Sequence, residues 1–330
     1  MPPWIRLLRP KQWIKNGFVF APLFFAHKFL DPQQWLITAL AALAFLSISC
    51  MVYIGNDIRD MEEDRLHPVK RMRPLAAGTI SVAQALLLAG GFIVIAVLSV
   101  GALPYRCGMV IGIYLALNLL YTFYLKRIAI VDIFFIASCY VLRVLMGCYA
   151  LAVTISPWII LTTFLLALFL GFGKRYHEMG FAEYVKAKPN LQHYNRELLD
   201  RLMTISSGAA LITYAIYTAE IARQTDKVEL VYTVAFVAFG LFRYMQSIYV
   251  YHQGGEPETV IFRDKWQIAN IAAWVCGWGL GVAPPPGGGG GGGGGPAAGD
   301  ELSRMPSKTA PTLTLPLWGR EYLQRSAIGI

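Results

Sequence analysis

A chain of 330 residues that is 56% hydrophobic and only 15% charged, with a mean hydropathy of +0.49, departs from a soluble domain. Such a domain carries roughly a quarter of its residues charged. The formal charge of +9 does not point to nucleic acid, because Lys and Arg lie in short loops between apolar runs rather than in a stripe or tail. The segment MPPWIRLLRPKQWIKN has no cleavable signal pattern and is expected to stay in the mature protein. A first helix is expected near 17–29, short and interrupted by Pro22, and a second near 33–54. An acidic and then basic loop follows. Further apolar runs near 81–102, 106–125, 131–151, 155–173, 203–222 and 229–250 have the length needed to cross about 30 Å of hydrocarbon. A last, Gly-rich run near 267–283 is marginal. The expected fold is therefore an all-α integral membrane bundle of nine transmembrane helices over residues 1–283.

Residues 284–330 are different material. Three prolines lead into the glycine run Gly287–Gly295, which cannot hold a fold against its backbone entropy, so this tail is expected to be disordered and dispensable. The abrupt change also fits a shifted reading frame. The five cysteines, Cys50, Cys107, Cys139, Cys148 and Cys276, all fall in apolar segments without metal-binding spacing and read as small buried hydrophobes.

With nine helices and the N-terminus inside, basic residues crowd the N-terminal segment and the loops after the second, fourth, sixth and eighth helices. Only Lys28, Arg106, Arg223 and Lys227 fall on the other face. This asymmetry predicts a cytoplasmic N-terminus in the plasma membrane. Arg143 and Arg243 remain inside spans, where an unpaired guanidinium is costly. Each is expected to face the bundle interior or a polar cavity, with snorkelling as the plainer reading for Arg243.

The chemistry is concentrated after the second span, in Asn56-Asp57-Ile58-Arg59-Asp60-Met61-Glu62-Glu63-Asp64. If the helix continues, Asn56, Asp60 and Asp64 share one face. Stacked oxygen ligands suit Mg²⁺, which takes one or two carboxylates and leaves room for water and phosphates; Asp57 stands beside them. Lys70, Arg71 and Arg73 follow as a cationic clamp for a diphosphate leaving group. The bland alternative is a solvated loop of mixed charge. Lys15 and Asn16, beside Arg9 and Lys11, either reach a donor substrate or merely anchor the chain at the interface with Trp13. Tyr121 and Lys126 close the fourth helix and Asp132 opens the fifth. In its plainer reading Asp132 pairs with Lys126 or Arg127. After the sixth helix, Lys174, Arg175 and Glu178 form a phosphate clamp, or Lys174 and Arg175 simply obey the positive-inside pattern.

The stretch NDIRDMEED at 56–64 resembles the first Asp-rich motif, NDxxDxxxD, of the UbiA-type polyprenyl transferase superfamily. RPKQWIKNGFVFAPLFF at 9–25, HPVKRMRPLAAG at 67–78 and GGEPETVIFRD at 254–264 are similar to its phosphoribosyl branch, and the resemblance covers about residues 4–283. It implies nine transmembrane helices around a Mg²⁺-dependent cytoplasmic site. Asp132 stands where an acid resembles the family's second acidic position, which implies a metal ligand or a partner for ribose hydroxyls. It further implies transfer of a 5-phosphoribosyl group from phosphoribosyl pyrophosphate to a polyprenyl (decaprenyl) phosphate, a step toward lipid-linked arabinose for the cell wall. Prenyl-transferring members carry a second Asp-rich motif after the sixth helix, where this chain has GKRYHE at 173–178. That departure favours the phosphoribosyl branch over the nearest rival, transfer of a prenyl group to an aromatic acceptor. A cation transporter, the rival from another class, would place its charges near the bilayer midplane rather than at the span ends. Partners expected are the two substrates and the bilayer, not nucleic acid; a homo-oligomer is compatible with the sequence.

Overall fold

The computed structural model describes residues 2–66, 70–181, 189–255, 257, 260 and 263–282. His67, Pro68 and Val69, the basic residues Lys186 and Lys188, parts of 254–264 and the tail from 283 onward lie outside these described residues. Among the described residues every regular element is a helix and there is no strand. The helices are α1 (Pro3–Leu7), α2 (Ala21–Phe25), α3 (Pro32–Arg59), α4 (Met61–Leu66), α5 (Val82–Gly101), α6 (Tyr105–Phe123) and α7 (Val131–Ala150). They continue with α8 (Pro157–Glu178), α9 (Arg196–Thr225), α10 (Thr233–Tyr249) and α11 (Lys265–Val282).

Local chemistry sets several of the boundaries. Asp31 caps α3 by accepting from Gln33 N at 2.8 Å, with Pro32 in the first turn. Ser81 and Gln84 form a reciprocal capping box at the start of α5. Asn195 accepts from Leu198 N at 2.7 Å and starts α9 a full seven residues earlier than hydropathy alone suggests (196 against 203).

Seven helices among the described residues are long and apolar enough to cross a membrane, rather than nine: α3, α5, α6, α7, α8, α9 and the stretch Val228–Tyr249 that includes α10. The expected first span is not one helix. Residues Pro10–Phe20 form a 3₁₀ helix that passes into the short α2. Pro10 and Pro22 lack amide donors and Gly17 weakens the helix between them, so the segment never settles into regular α geometry. The expected last span corresponds to the helix α11, which is not among the seven. The expected second helix is α3, which runs on to Arg59 and so carries Asn56 and Asp57 on the helix itself.

The apolar faces divide by depth. Leu87, Leu98 and Ile205 lie open on the outer surface, as residues that meet lipid do. The centre belongs to α7, which packs against α3, α6, α8 and the Pro10–Phe20 segment. Phe45, Met146 and Cys107 fill the core on one side of it, and Phe169, Leu199 and Met203 on the other. Cys50, Cys107, Cys139 and Cys148 are buried and free, whereas Cys276 is exposed, a correction to its expected burial. Because the spans alternate in direction, the ends of α3, α6, α8 and α10 meet the starts of α5, α7, α9 and α11 at one end of the bundle. Arg243 reaches that end and is not stranded in the span: its Nε donates to Asp264 at 2.5 Å just before α11. This ion pair holds the Asp264 carboxyl below its ordinary range.

Candidate active site

The acidic motif does not stay on one helix face. At Asp60 the backbone turns to φ −88° and ψ 7°, ending α3, and α4 sets off in a new direction with Glu62, Glu63 and Asp64 in its first turn. The four-residue rhythm survives in the backbone, where Asp60 N bonds Asn56 O and Asp64 N bonds Asp60 O. The side chains part company. Asn56 and Asp60 face α6: Thr122 donates to Asn56 at 3.1 Å, and Lys126 stands 3.4 Å from Asp60. Asp64 instead joins Asp57, and the expected trio of Asn56, Asp60 and Asp64 gives way to a pair, Asp57 and Asp64, with Asn56 and Asp60 alongside.

That pair is buried and fully answered by cations, as buried charges must be. Arg73 Nη1 donates to Asp64 Oδ2 at 2.6 Å and to Asp57 Oδ1 at 3.2 Å. Arg9 pairs with Asp57 and packs over Tyr53, and Lys70 lies 3.7 Å from Asp64. Arg71, by contrast, is exposed. The N-terminal segment is thus part of the site, tied further by Arg6, which donates to Met72 O at 2.8 Å. Leu7 packs with Ile54 and Leu75 beneath it.

No three His, Cys, Asp or Glu side chains among the described residues enclose a metal unaided. A divalent ion nevertheless fits the donor set. The Asp57 and Asp64 carboxylates converge on one point, which a cationic nitrogen of Arg73 now holds, and both offer hard oxygen atoms. Mg²⁺ typically uses only one or two carboxylates, with phosphate oxygens and water completing its shell.

A second cluster joins α7, α8 and the segment Pro189–His193. Arg175 lies between Asp132, at 2.7 Å, and Glu178, at 2.6 Å. Asn190 donates to Asp132 at 2.8 Å and Tyr194 at 3.2 Å. Burial and the adjacent Asp132 carboxylate push the Tyr194 hydroxyl above the ordinary tyrosine range, so it remains a donor. Asp132 therefore pairs with neither Lys126 nor Arg127. Arg175 is committed to two carboxylates rather than open as a phosphate clamp; only its Nε lacks a partner among the described residues. Lys174 is half-buried at the same end. Tyr121 stacks on Phe135 with ring centroids 4.2 Å apart. Thr122, Asn190 and Tyr194 carried no sequence signal, since nothing in their spacing reveals a partner more than fifty residues away.

Arg143 is buried in α7, with its Nε donating to Asn16 Oδ1 at 3.1 Å and its Nη1 to Cys139 O at 2.7 Å. Rings of Phe45, Tyr114 and Tyr140 surround it. Asn16 consequently points into the bundle, toward α7. Lys15, its neighbour, reaches a groove instead. It is the one charged side chain among the described residues lining an apolar groove of about 550 Å³ walled by the N-terminal segment, α8, α10 and α11. Along α8 the groove runs from Leu170 to Ile159, about 16 Å at 1.5 Å per residue. Its deep end is closed by Tyr214, which accepts from Trp274 at 2.7 Å and Trp278 at 2.9 Å.

Comparison with known proteins adds to this geometry. The model of the UbiA prenyltransferase family matches residues 17–266. Decaprenyl-phosphate phosphoribosyltransferase of Corynebacterium glutamicum is 33% identical over 281 residues, 82% of this chain and 84% of that protein. The protein of the same name from Mycolicibacterium smegmatis is 32% identical over 289 residues, 82% of this chain and 89% of that one. Among solved structures, a UbiA homolog from Archaeoglobus fulgidus bound to GPP and Mg²⁺ superposes with a TM-score of 0.65 at 18% identity, covering 85% of this chain and 99% of that one.

Proposed function

The chain belongs to the UbiA prenyltransferase family, and from that premise we propose that it transfers the 5-phosphoribosyl group of phosphoribosyl pyrophosphate to a polyprenyl phosphate, releasing pyrophosphate. The observation that carries this reading is the match, over more than four fifths of both chains, to relatives named decaprenyl-phosphate phosphoribosyltransferase. The site lies at the cytoplasmic face of the plasma membrane, a placement supported by the crowding of basic residues at that end of the spans. The product is chemically suited to supply lipid-linked arabinose.

In the proposed reaction a phosphate oxygen of the lipid attacks C1 of the ribose as the bond from C1 to the pyrophosphate breaks. The nucleophile is already an anion, so no general base is required. Arg9, Arg73 and Lys70 hold the diphosphate oxygens, and Lys126 with Asp60 lies beside them. Mg²⁺ held by Asp57 and Asp64 would neutralise charge gathering on the departing pyrophosphate, a choice of metal supported by the Mg²⁺ of the related archaeal structure. The groove takes the polyprenyl chain, its apolar walls matching an isoprenoid and Lys15 matching the phosphate. Positioning and fixed charge supply the catalysis.

The test is label transfer. Membrane-embedded protein given Mg²⁺, labelled phosphoribosyl pyrophosphate and decaprenyl phosphate is expected to move the label into the organic phase. Label that stays in water, together with activity on a prenyl diphosphate and an aromatic acceptor, would select the prenyltransferase reading instead.

A further inference from the structure

A buried guanidinium without a carboxylate needs an explanation, and Arg143 is one: it is 3% exposed, and no acid lies within ion-pair range of it among the described residues. Its hydrogen bonds instead reach across to the N-terminal segment at Asn16 and back to Cys139 on its own helix. One helical turn further, on the same face of α7, Gly147 lies so close to this segment that a Cβ there would meet Val19 O at 2.1 Å. Tyr140, one turn before, packs edge-on against Phe18 at 4.9 Å. Three successive positions on α7 therefore seat residues 16–19, one by an aromatic contact, one by a charged hydrogen bond and one by the absence of a side chain.

The seated segment has two faces. Asn16 and Val19 are buried toward α7, while Lys15, Gly17 and Phe18 line the groove. A 3₁₀ stretch of this kind has weak hydrogen-bond geometry of its own and holds its shape through what it packs against. We infer that Arg143 is a positioning residue for the lipid acceptor: by fixing Asn16 it holds the neighbouring Lys15 on the groove wall, where the lipid's phosphate is received. Arg143 touches neither substrate and acts through residues 15 and 16. This inference rests on the phosphoribosyl-transfer reading above and deepens it by assigning the placement of Lys15 to Arg143 through Asn16.

The test uses the full chain in membranes, with decaprenyl phosphate and phosphoribosyl pyrophosphate varied in turn. Asn16→Leu and Arg143→Met are each expected to raise KM for the lipid by about tenfold, the scale of one hydrogen bond to a charged group, and to leave KM for phosphoribosyl pyrophosphate in place. The double variant is expected to be no worse than either single one, and Asn16→Asp, which keeps an acceptor for Nε, to recover most of the loss. Should Arg143→Met fail to insert, Asn16→Leu decides alone. Equal rises in both KM values, a fall in kcat alone or additive effects would overturn the inference while the reaction stands. A wild-type protein that labels no lipid would instead bring down the functional reading, and the acceptor role with it.

Discussion

Asp57 and Asp64, on separate helices either side of the bend at Asp60, accept hydrogen bonds from the same nitrogen of Arg73, at 3.2 and 2.6 Å. On two carboxylates gathered at one cation rests the proposed role of Asp57 and Asp64 in holding Mg²⁺.

Replacing either one with asparagine is therefore expected to remove turnover, by about 10²–10³-fold or more, the range seen when a fixed electrostatic group is lost. Asp57→Asn and Asp64→Asn keep the side-chain volume, so insertion is expected to be unaffected. The measurement is labelled-lipid formation beside a Mg²⁺ titration. Activity equal to wild type in both variants would take the pair out of the reaction.

The cluster around Asp132 is expected to behave as structure first. Asp132→Ala leaves Arg175 paired only with Glu178 and strands Asn190 and Tyr194. Breaking a buried ion pair from one side costs about 3–5 kcal/mol, so thermal unfolding in detergent is expected at a markedly lower temperature. A variant with wild-type stability but no activity would move Asp132 into the substrate site.

Gly147→Ala is expected to lower acceptor affinity and stability together. The clash is with a main-chain oxygen that cannot swing aside, and overpacking of this kind costs about 1–3 kcal/mol. Gly208→Ala, with nothing within 4 Å of the added carbon, is expected to stabilise α9 by about 0.5–1 kcal/mol. A matched pair of melting curves checks both signs.

Truncation after Val282 is expected to preserve activity, since the family match ends at residue 266 and the last residue named at the groove, Trp278, also lies before the cut. Label transfer by the shortened chain is the readout, and a dead enzyme would give the Gly-rich tail a function.

How much of this was legible beforehand follows from distance along the chain. Hydropathy located the long helices because each span reports its own surroundings. It failed at residues 10–25, where Pro10, Gly17 and Pro22 divert an apolar run from regular helix. The acidic motif announced oxygen donors, yet the bend at Asp60 decides which of them meet, and no spacing rule encodes that bend. The partners of Arg175 were hidden for a different reason. Asp132 lies 43 residues before it, and only the packing of α7 on α8 brings the two together. Lys15 and Asn16 stand side by side in the sequence, but only the packing of the 3₁₀ segment on α7 separates the residue that lines the groove from the one that meets Arg143.

Arg9, Lys70, Arg73 and Lys126 standing against Asp57, Asp60 and Asp64 have a thermodynamic corollary. At rest this face is its own electrolyte: the ions have already shed most of their hydration during folding, and none waits for a counterion from solution. Under the proposed reaction, a diphosphate arriving with its metal would swap partners within an existing lattice of charge, and its recognition would be ion exchange rather than condensation.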